Sequence, residues 1–141
     1  MNWGLVGIGA ALAFAAIGSA CGMGAAGMAS VGAMKKAFSQ NKAAPFILIV
    51  FVGAPLTQTI YGFILMNSLN SSSADGALLL GAGILGGIAM GMSALFQGKA
   101  GAAAADALVE TGQGTGTYIM ILGLIETVAL FVMVFLLGVV S

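Results

Sequence analysis

Residues 117–140 read TYIMILGLIETVALFVMVFLLGVV and contain a single charged residue, Glu126. A membrane-spanning helix needs about 20 consecutive, mostly apolar residues, and this stretch meets that requirement. Glu126 lies close to its midpoint. The stretch therefore predicts a transmembrane helix with a carboxyl group deep in the bilayer.

Three further apolar stretches precede this one. They run from about Trp3 to Met34, from Pro45 to Met66 and from Ala77 to about Leu108. The whole chain is 60% hydrophobic and only 6% charged, whereas a soluble domain carries about 25% charged residues. The sequence therefore predicts an all-α membrane protein with four transmembrane helices in a lipid bilayer.

The composition also excludes several kinds of function. The net charge is zero, so no basic surface indicates a nucleic-acid partner. The chain has no His, and its one cysteine, Cys21, cannot form an intrachain disulfide. Residues 22–27 (GMGAAG) match a dinucleotide-binding fingerprint, but that motif must follow a strand. Inside an apolar helix, close helix packing is the better interpretation.

The second half of the chain repeats the first. Residues 18–26 align with residues 94–102, and each copy is followed by one further apolar stretch. We therefore expect two tandem helical hairpins, residues 1–70 and residues 71–141, that run in the same direction. Inverted-topology repeats, found in many secondary transporters, run in opposite directions.

The loops indicate the orientation in the membrane. Residues 35–44 contain Lys35, Lys36 and Lys42, three of the four basic residues. Basic residues concentrate in cytoplasmic loops, so we expect this loop and residues 110–116 to be cytoplasmic. The Ser-rich residues 67–76 and both termini are then expected on the outer side.

Polar side chains cluster where water should be absent. Thr57, Gln58 and Tyr61 lie near the middle of the second apolar stretch, and Gln97 lies on the third. An ionised carboxylate in hydrocarbon is costly, and such residues are functional candidates. Glu126 must therefore be neutralised, either by a proton or by a bound cation.

The neighbouring oxygens bear on the choice of ion. Hydroxyl, amide and carboxylate oxygens suit a hard cation. Pro55 cannot donate a hydrogen bond to the carbonyl of Phe51, and the distortion there can release nearby carbonyls such as that of Ala54. A proton site needs only the carboxylate and one partner. The surplus of oxygens favours Na⁺, with H⁺ as the alternative.

The first hairpin lacks the equivalent residues. In the repeat alignment Leu56 occupies the position of Glu126, and Cys21 occupies the position of Gln97. The sequence therefore predicts one carboxylate site per chain, which suits a protein that works as a repeated assembly.

The whole chain resembles the rotor proteolipid of V-type ATPases (their c or K polypeptide), in particular the sodium-translocating bacterial kind. The resemblance is carried by three motifs, one on each of the last three spans: Pro55-x-Thr57-Gln58-x-x-Tyr61-Gly62, Gln97-Gly98-Lys99-Ala100 and Glu126-Thr127. The family pattern has a bulky aliphatic residue at Ala54, Gly at Leu56, and Tyr-Gly where this chain has Phe131-Val132.

The resemblance implies a ring of identical chains in a bacterial cell membrane, with the first and third spans inside. Glu126 would carry the ion, and Tyr61 would orient it. The Na⁺ shell would be completed by Thr57, Gln58, Gln97 and the backbone carbonyl of Ala54. The implied partners are a stator subunit that supplies an Arg and the subunits of a central stalk. ATP hydrolysis would lie in partner subunits, and no cofactor is implied beyond the transported Na⁺ or H⁺.

Two other functions are compatible with four spans. A small four-helix, proton-coupled multidrug-type secondary transporter also uses one membrane carboxylate. That family tends to place its Glu in the first span among aromatic residues, where this chain has no acid. A non-transporting structural proteolipid is the second alternative, but it has no need for Thr57, Gln58, Gln97 and Glu126 together.

Overall fold

The computed structural model describes residues 2–141, and four helical spans account for nearly all of them. Each span is long and apolar enough to cross a membrane. The second span consists of two helices joined by a 3-10 turn at Ala54–Leu56. The five helices are α1 (Trp3–Ser39), α2 (Ile47–Gly53), α3 (Thr57–Ser71), α4 (Gly76–Thr111) and α5 (Thr115–Val140). The predicted all-α fold with four spans is confirmed.

The helices extend further than the apolar stretches. α1 continues to Ser39 and not to Met34, so Lys35 and Lys36 lie on the helix and only Lys42 lies in the loop. α4 likewise ends at Thr111, not Leu108. The apolar length of a span is set by the bilayer, but a helix can continue into water because its hydrogen bonds are internal.

The helix ends are set by local backbone geometry. The N–H groups of Gln40 and Lys42 both bond to the carbonyl of Ala37, and Asn41 between them has φ 55°. At the same end of the bundle, Gly112 terminates α4 with φ 69°, and its N–H donates to the carbonyl of Leu108 over 2.8 Å. A left-handed residue after the last turn is a common way to end a helix, and Gly adopts it without steric cost.

α1 and α4 pack in parallel along their whole length. Gly7 contacts Gly83 and Gly22 contacts Gly98, so residue numbers rise in the same direction along both helices. A β-carbon at Gly98 would overlap the backbone of Gly22. Small residues allow this close approach, which is how helices associate in lipid. The division into tandem hairpins at residues 1–70 and 71–141 stays a prediction.

The second span changes from α to 3-10 geometry where Pro55 interrupts it. Pro55 is buried, and a β-carbon at Gly22 of α1 would lie 3.1 Å from its ring. The carbonyl of Phe51, which lacks its usual donor at Pro55, lies against Gly101 of α4. The middle of the second span therefore packs against both α1 and α4.

Candidate ion-binding site

Three helices converge on the carboxyl group of Glu126. The hydroxyl of Tyr61, on α3, donates to Oε1 over 2.9 Å. Nε2 of Gln97, on α4, donates to Oε2 over 3.1 Å. Glu126 itself is the twelfth residue of the 26-residue helix α5 and is partly buried. Each carboxylate oxygen thus has one neutral donor from a different helix.

A chain of polar groups continues from Gln97 to the 3-10 turn that contains Pro55. Nε2 of Gln58 donates to Oε1 of Gln97 over 2.9 Å. The hydroxyl of Thr57 lies 3.2 Å from Oε1 of Gln58 and 3.0 Å from the carbonyl oxygen of Ala54. Both glutamines are fully buried. Because each amide and carbonyl oxygen has two lone pairs, these oxygens keep capacity for a further ligand.

Two contacts to backbone carbonyls of α5 hold α4 in register with α5. Nε2 of Gln97 also donates to the carbonyl of Leu122 over 3.0 Å, and Ser93 Oγ donates to that of Ile125 over 2.8 Å. Ser93 was not among the predicted site residues. It lies one turn before Gln97 on the same face of α4, and that spacing is the signal by which the sequence could have indicated it.

Among residues 2–141, Glu126 has no basic partner. In the described part of the chain the one ion pair joins Lys36 and Glu110, at 3.3 Å, near the ends of α1 and α4. An ionised Glu126 would therefore be an uncompensated charge in the middle of a membrane span, stabilised only by dipoles. Burial of a charge without a counter-ion is costly, so this site requires a cation or a proton.

The structure brings the predicted site residues together. Thr57, Gln58, Tyr61, Gln97, Glu126 and the carbonyl of Ala54 form one continuous set of hydrogen bonds. Their role as ion ligands stays a prediction. The corresponding residues of the first hairpin lie elsewhere: both Leu56 and Cys21 are exposed on the outer faces of the chain.

Comparison with known families gives one match. Residues 80–138 match the model of the family of ATP synthase C subunits. The matched region covers most of α4 and α5, including Gln97 and Glu126. No curated protein matches the chain.

Proposed function

We propose that this chain, whose residues 80–138 match the family of ATP synthase C subunits, is an ion-translocating rotor proteolipid of a V-type ATPase. Members of this family form rotor rings. Each chain would bind one Na⁺ at Glu126 and carry it past a stator as the ring turns. The observation that carries this proposal is a carboxylate in the middle of a span that has neutral donors and, within the described part of the chain, no basic partner.

The preference for Na⁺ comes from the number of oxygens beside the carboxylate. A hard cation needs several oxygen ligands. Four such oxygens lie on one hydrogen-bonded chain of groups that ends at Glu126: the Thr57 hydroxyl, the side-chain amides of Gln58 and Gln97, and the carbonyl of Ala54. Protonation of a carboxyl group does not require this set, so the site is better suited to Na⁺ than to H⁺.

The electrostatics of the site explain how binding and rotation are coupled. When Na⁺ cancels the charge of Glu126, the site can face lipid at little cost. An empty site cannot, because a bare carboxylate in hydrocarbon is too unfavourable. It must stay beside a positive group until it is reloaded, and the stator Arg implied by the family resemblance would supply that group. Rotation is therefore allowed only for loaded sites.

The remaining assignments follow from the position of the site in the chain. Each chain has one carboxylate for four spans. Such a ring moves fewer ions per turn than a ring with one carboxylate per two spans. The lower number of ions per ATP favours pumping over ATP synthesis. The loop that contains Lys42 would face the cytoplasm and the central stalk, and both termini would lie outside a bacterial cell membrane. ATP would be hydrolysed by partner subunits.

The small multidrug-type transporter is not favoured. The match to the ATP synthase family covers the region that contains Glu126. α1, where that transporter class places its acid, has no Asp or Glu. The carboxylate here is on α5, and its partners are a tyrosine and an amide rather than an aromatic drug pocket.

The proposal is tested by carbodiimide labelling of the purified ring. We expect Glu126 to be labelled and Na⁺ to slow the labelling, whereas K⁺ at equal ionic strength does not. Glu126→Gln should abolish labelling and transport but leave the native mass of the ring unchanged. If Na⁺ does not change the rate of labelling at neutral pH, the site binds a proton instead. If Glu126→Gln still transports ions, Glu126 is not the ion-carrying residue.

Two matched variants test the proposed ligand Thr57 separately from the carboxylate of Glu126. Thr57→Val removes a proposed ligand but keeps the shape of the side chain, and we expect it to weaken protection by Na⁺ without preventing labelling. Thr59→Val, two positions away, is the control, and Na⁺ should protect Glu126 in this variant as well as it does in the unaltered chain. Equal protection in both variants would exclude the Thr57 hydroxyl from the shell.

A further inference from the structure

α1 has no side chain in the hydrogen-bonded group around Glu126, but it carries two buried hydroxyl groups. Ser19 and Ser30 lie on its buried face, and each is only 2% exposed. Neither hydroxyl has a hydrogen-bond partner among residues 2–141. A serine within a helix can bond to the carbonyl four residues earlier, but neither of these does. A buried hydroxyl without a partner costs free energy, so each position needs an explanation.

Two contacts fix the register between α1 and the second span, which run antiparallel. A β-carbon at Gly62 would lie 2.6 Å from the β-carbon of Ala15, and one at Gly22 would lie 3.1 Å from that of Pro55. Ala15 and Gly22 are seven residues apart, and so are Pro55 and Gly62. A level on one helix therefore converts directly into a level on the other.

This register places one of the two serines at the ion site. Ser19 is four residues after the first contact and three before the second. Gln58, counted in the opposite direction along the second span, occupies the same place between the two contacts. Ser30 is level with Ile47, the first residue of α2, and lies about 16 Å from Ser19 along the axis of α1. Ser19 and Gln58 are therefore buried at the same level, whereas Ser30 lies away from the site.

The side-chain amide of Gln58 has one hydrogen that the structure leaves unused. Nε2 carries two hydrogens, and it makes one hydrogen bond, to Oε1 of Gln97 over 2.9 Å. Oε1 of the same amide accepts from the Thr57 hydroxyl over 3.2 Å. Gln58 is fully buried. The site thus has one unused amide hydrogen and, at the same level on α1, one unused hydroxyl.

A cation bound by both glutamines changes what Nε2 of Gln58 can contact. In the proposed shell, Oε1 of Gln58 and Oε1 of Gln97 both contact the ion. The hydrogens of Nε2 carry partial positive charge, so a cation held at Oε1 of Gln97 repels them. Nε2 then needs another buried acceptor, because a buried donor without one is costly. The Ser19 hydroxyl is a buried acceptor at that level with no other partner.

We propose that Ser19 is a positioning residue of the ion site, and that its hydroxyl accepts an amide hydrogen from Nε2 of Gln58 when Na⁺ binds. The inference rests on the proposed function. The hydrogen bond holds the Gln58 amide so that its oxygen stays directed at the ion. Ser19 touches neither the ion nor Glu126. All four spans then contribute to the site, with α1 acting through Gln58.

The test measures how well Na⁺ protects Glu126 from carbodiimide in rings of Ser19→Ala. We expect the Na⁺ concentration that halves the labelling rate to rise about fivefold, the effect of one neutral hydrogen bond. The labelling rate without Na⁺ should not change, and the thermal midpoint without Na⁺ should not fall. Ser30→Ala is the matched control, because it removes an equally buried and unpartnered hydroxyl from the same face of α1. Na⁺ should protect it like the unaltered ring.

Each outcome decides for or against this role of Ser19. Unchanged protection in Ser19→Ala, or an equal loss in Ser30→Ala, would overturn the inference, and a lower thermal midpoint of Ser19→Ala alone would assign Ser19 a purely structural role. If Ser19→Ala does not assemble, Ser19→Cys decides, since a thiol is a weak acceptor and should weaken protection as well; full protection would overturn the inference. If Na⁺ does not protect Glu126 in the unaltered ring, the proposed Na⁺ site fails instead.

Discussion

The hydroxyl of Tyr61 and the carboxylate of Glu126 are joined by a hydrogen bond of 2.9 Å, although the two residues are 65 positions apart in the chain. The bond links α3 to α5 at the middle of the membrane span. Because Gln97 holds the other carboxylate oxygen, the carboxylate plane is fixed from two sides. This arrangement keeps Glu126 pointing towards the oxygens of the second and third spans.

Removal of the tyrosine hydroxyl should loosen the carboxylate. Hydrogen bonds to charged groups contribute about 1.5–3 kcal/mol, so we expect Tyr61→Phe to weaken protection by Na⁺ about tenfold or more. The rate of carbodiimide labelling as a function of Na⁺ concentration measures this. Tyr118→Phe is the control, since the Tyr118 ring packs edge-on against Phe51 away from Glu126. Unchanged protection in Tyr61→Phe would mean that Gln97 alone orients the carboxylate.

Gln97 should matter for stability as well as for ion binding. Gln97→Leu leaves Nε2 of the buried Gln58 without its partner, and an unsatisfied buried group costs about 1–3 kcal/mol. We expect a lower thermal midpoint of the detergent-solubilised ring and loss of protection by Na⁺. The exposed Gln113 offers a control in Gln113→Leu. A Gln97→Leu ring as stable as the unaltered one would contradict this assignment.

The α1–α4 contact should tolerate no side chain at Gly98. A β-carbon there would overlap the backbone of Gly22, which cannot move independently of α1. We expect Gly98→Ala to lower the free energy of unfolding by about 2–3 kcal/mol, measured by titration with a denaturing detergent. Gly81→Ala, on the same helix, is the matched control because a β-carbon at Gly81 has no heavy atom within 4 Å. Equal losses in the two variants would indicate a general effect of alanine on α4.

The ion pair between Lys36 and Glu110 should contribute little. Its side chains are 38% and 63% exposed, and exposed pairs contribute about 0–1 kcal/mol. A double-mutant cycle with Lys36→Ala and Glu110→Ala should therefore give a coupling energy below about 1 kcal/mol that falls further at high salt. A larger coupling that salt does not reduce would show that the pair is shielded from solvent, for example by a stalk protein bound over it.

Much of the site was predictable because each polar residue in an apolar span is conspicuous. Thr57, Gln58, Gln97 and Glu126 stand out against long hydrophobic stretches, and the structure brings them into one hydrogen-bonded group. Ser93 was not predicted, because a serine in a Gly- and Ala-rich helix is not conspicuous. Its partner, the carbonyl of Ile125, has no signature in the sequence.

Hydrophobicity along the chain was enough to predict the four spans and the acidic position in the last of them, because the bilayer imposes the same length and polarity on every span. How the helices pack decided the depth at which α4 faces α5 and which two groups donate to Glu126. Those relationships follow from contacts such as Gly22 against Gly98, between residues far apart in the chain. Helix register is a property of two surfaces in contact, and no single stretch of residues encodes it.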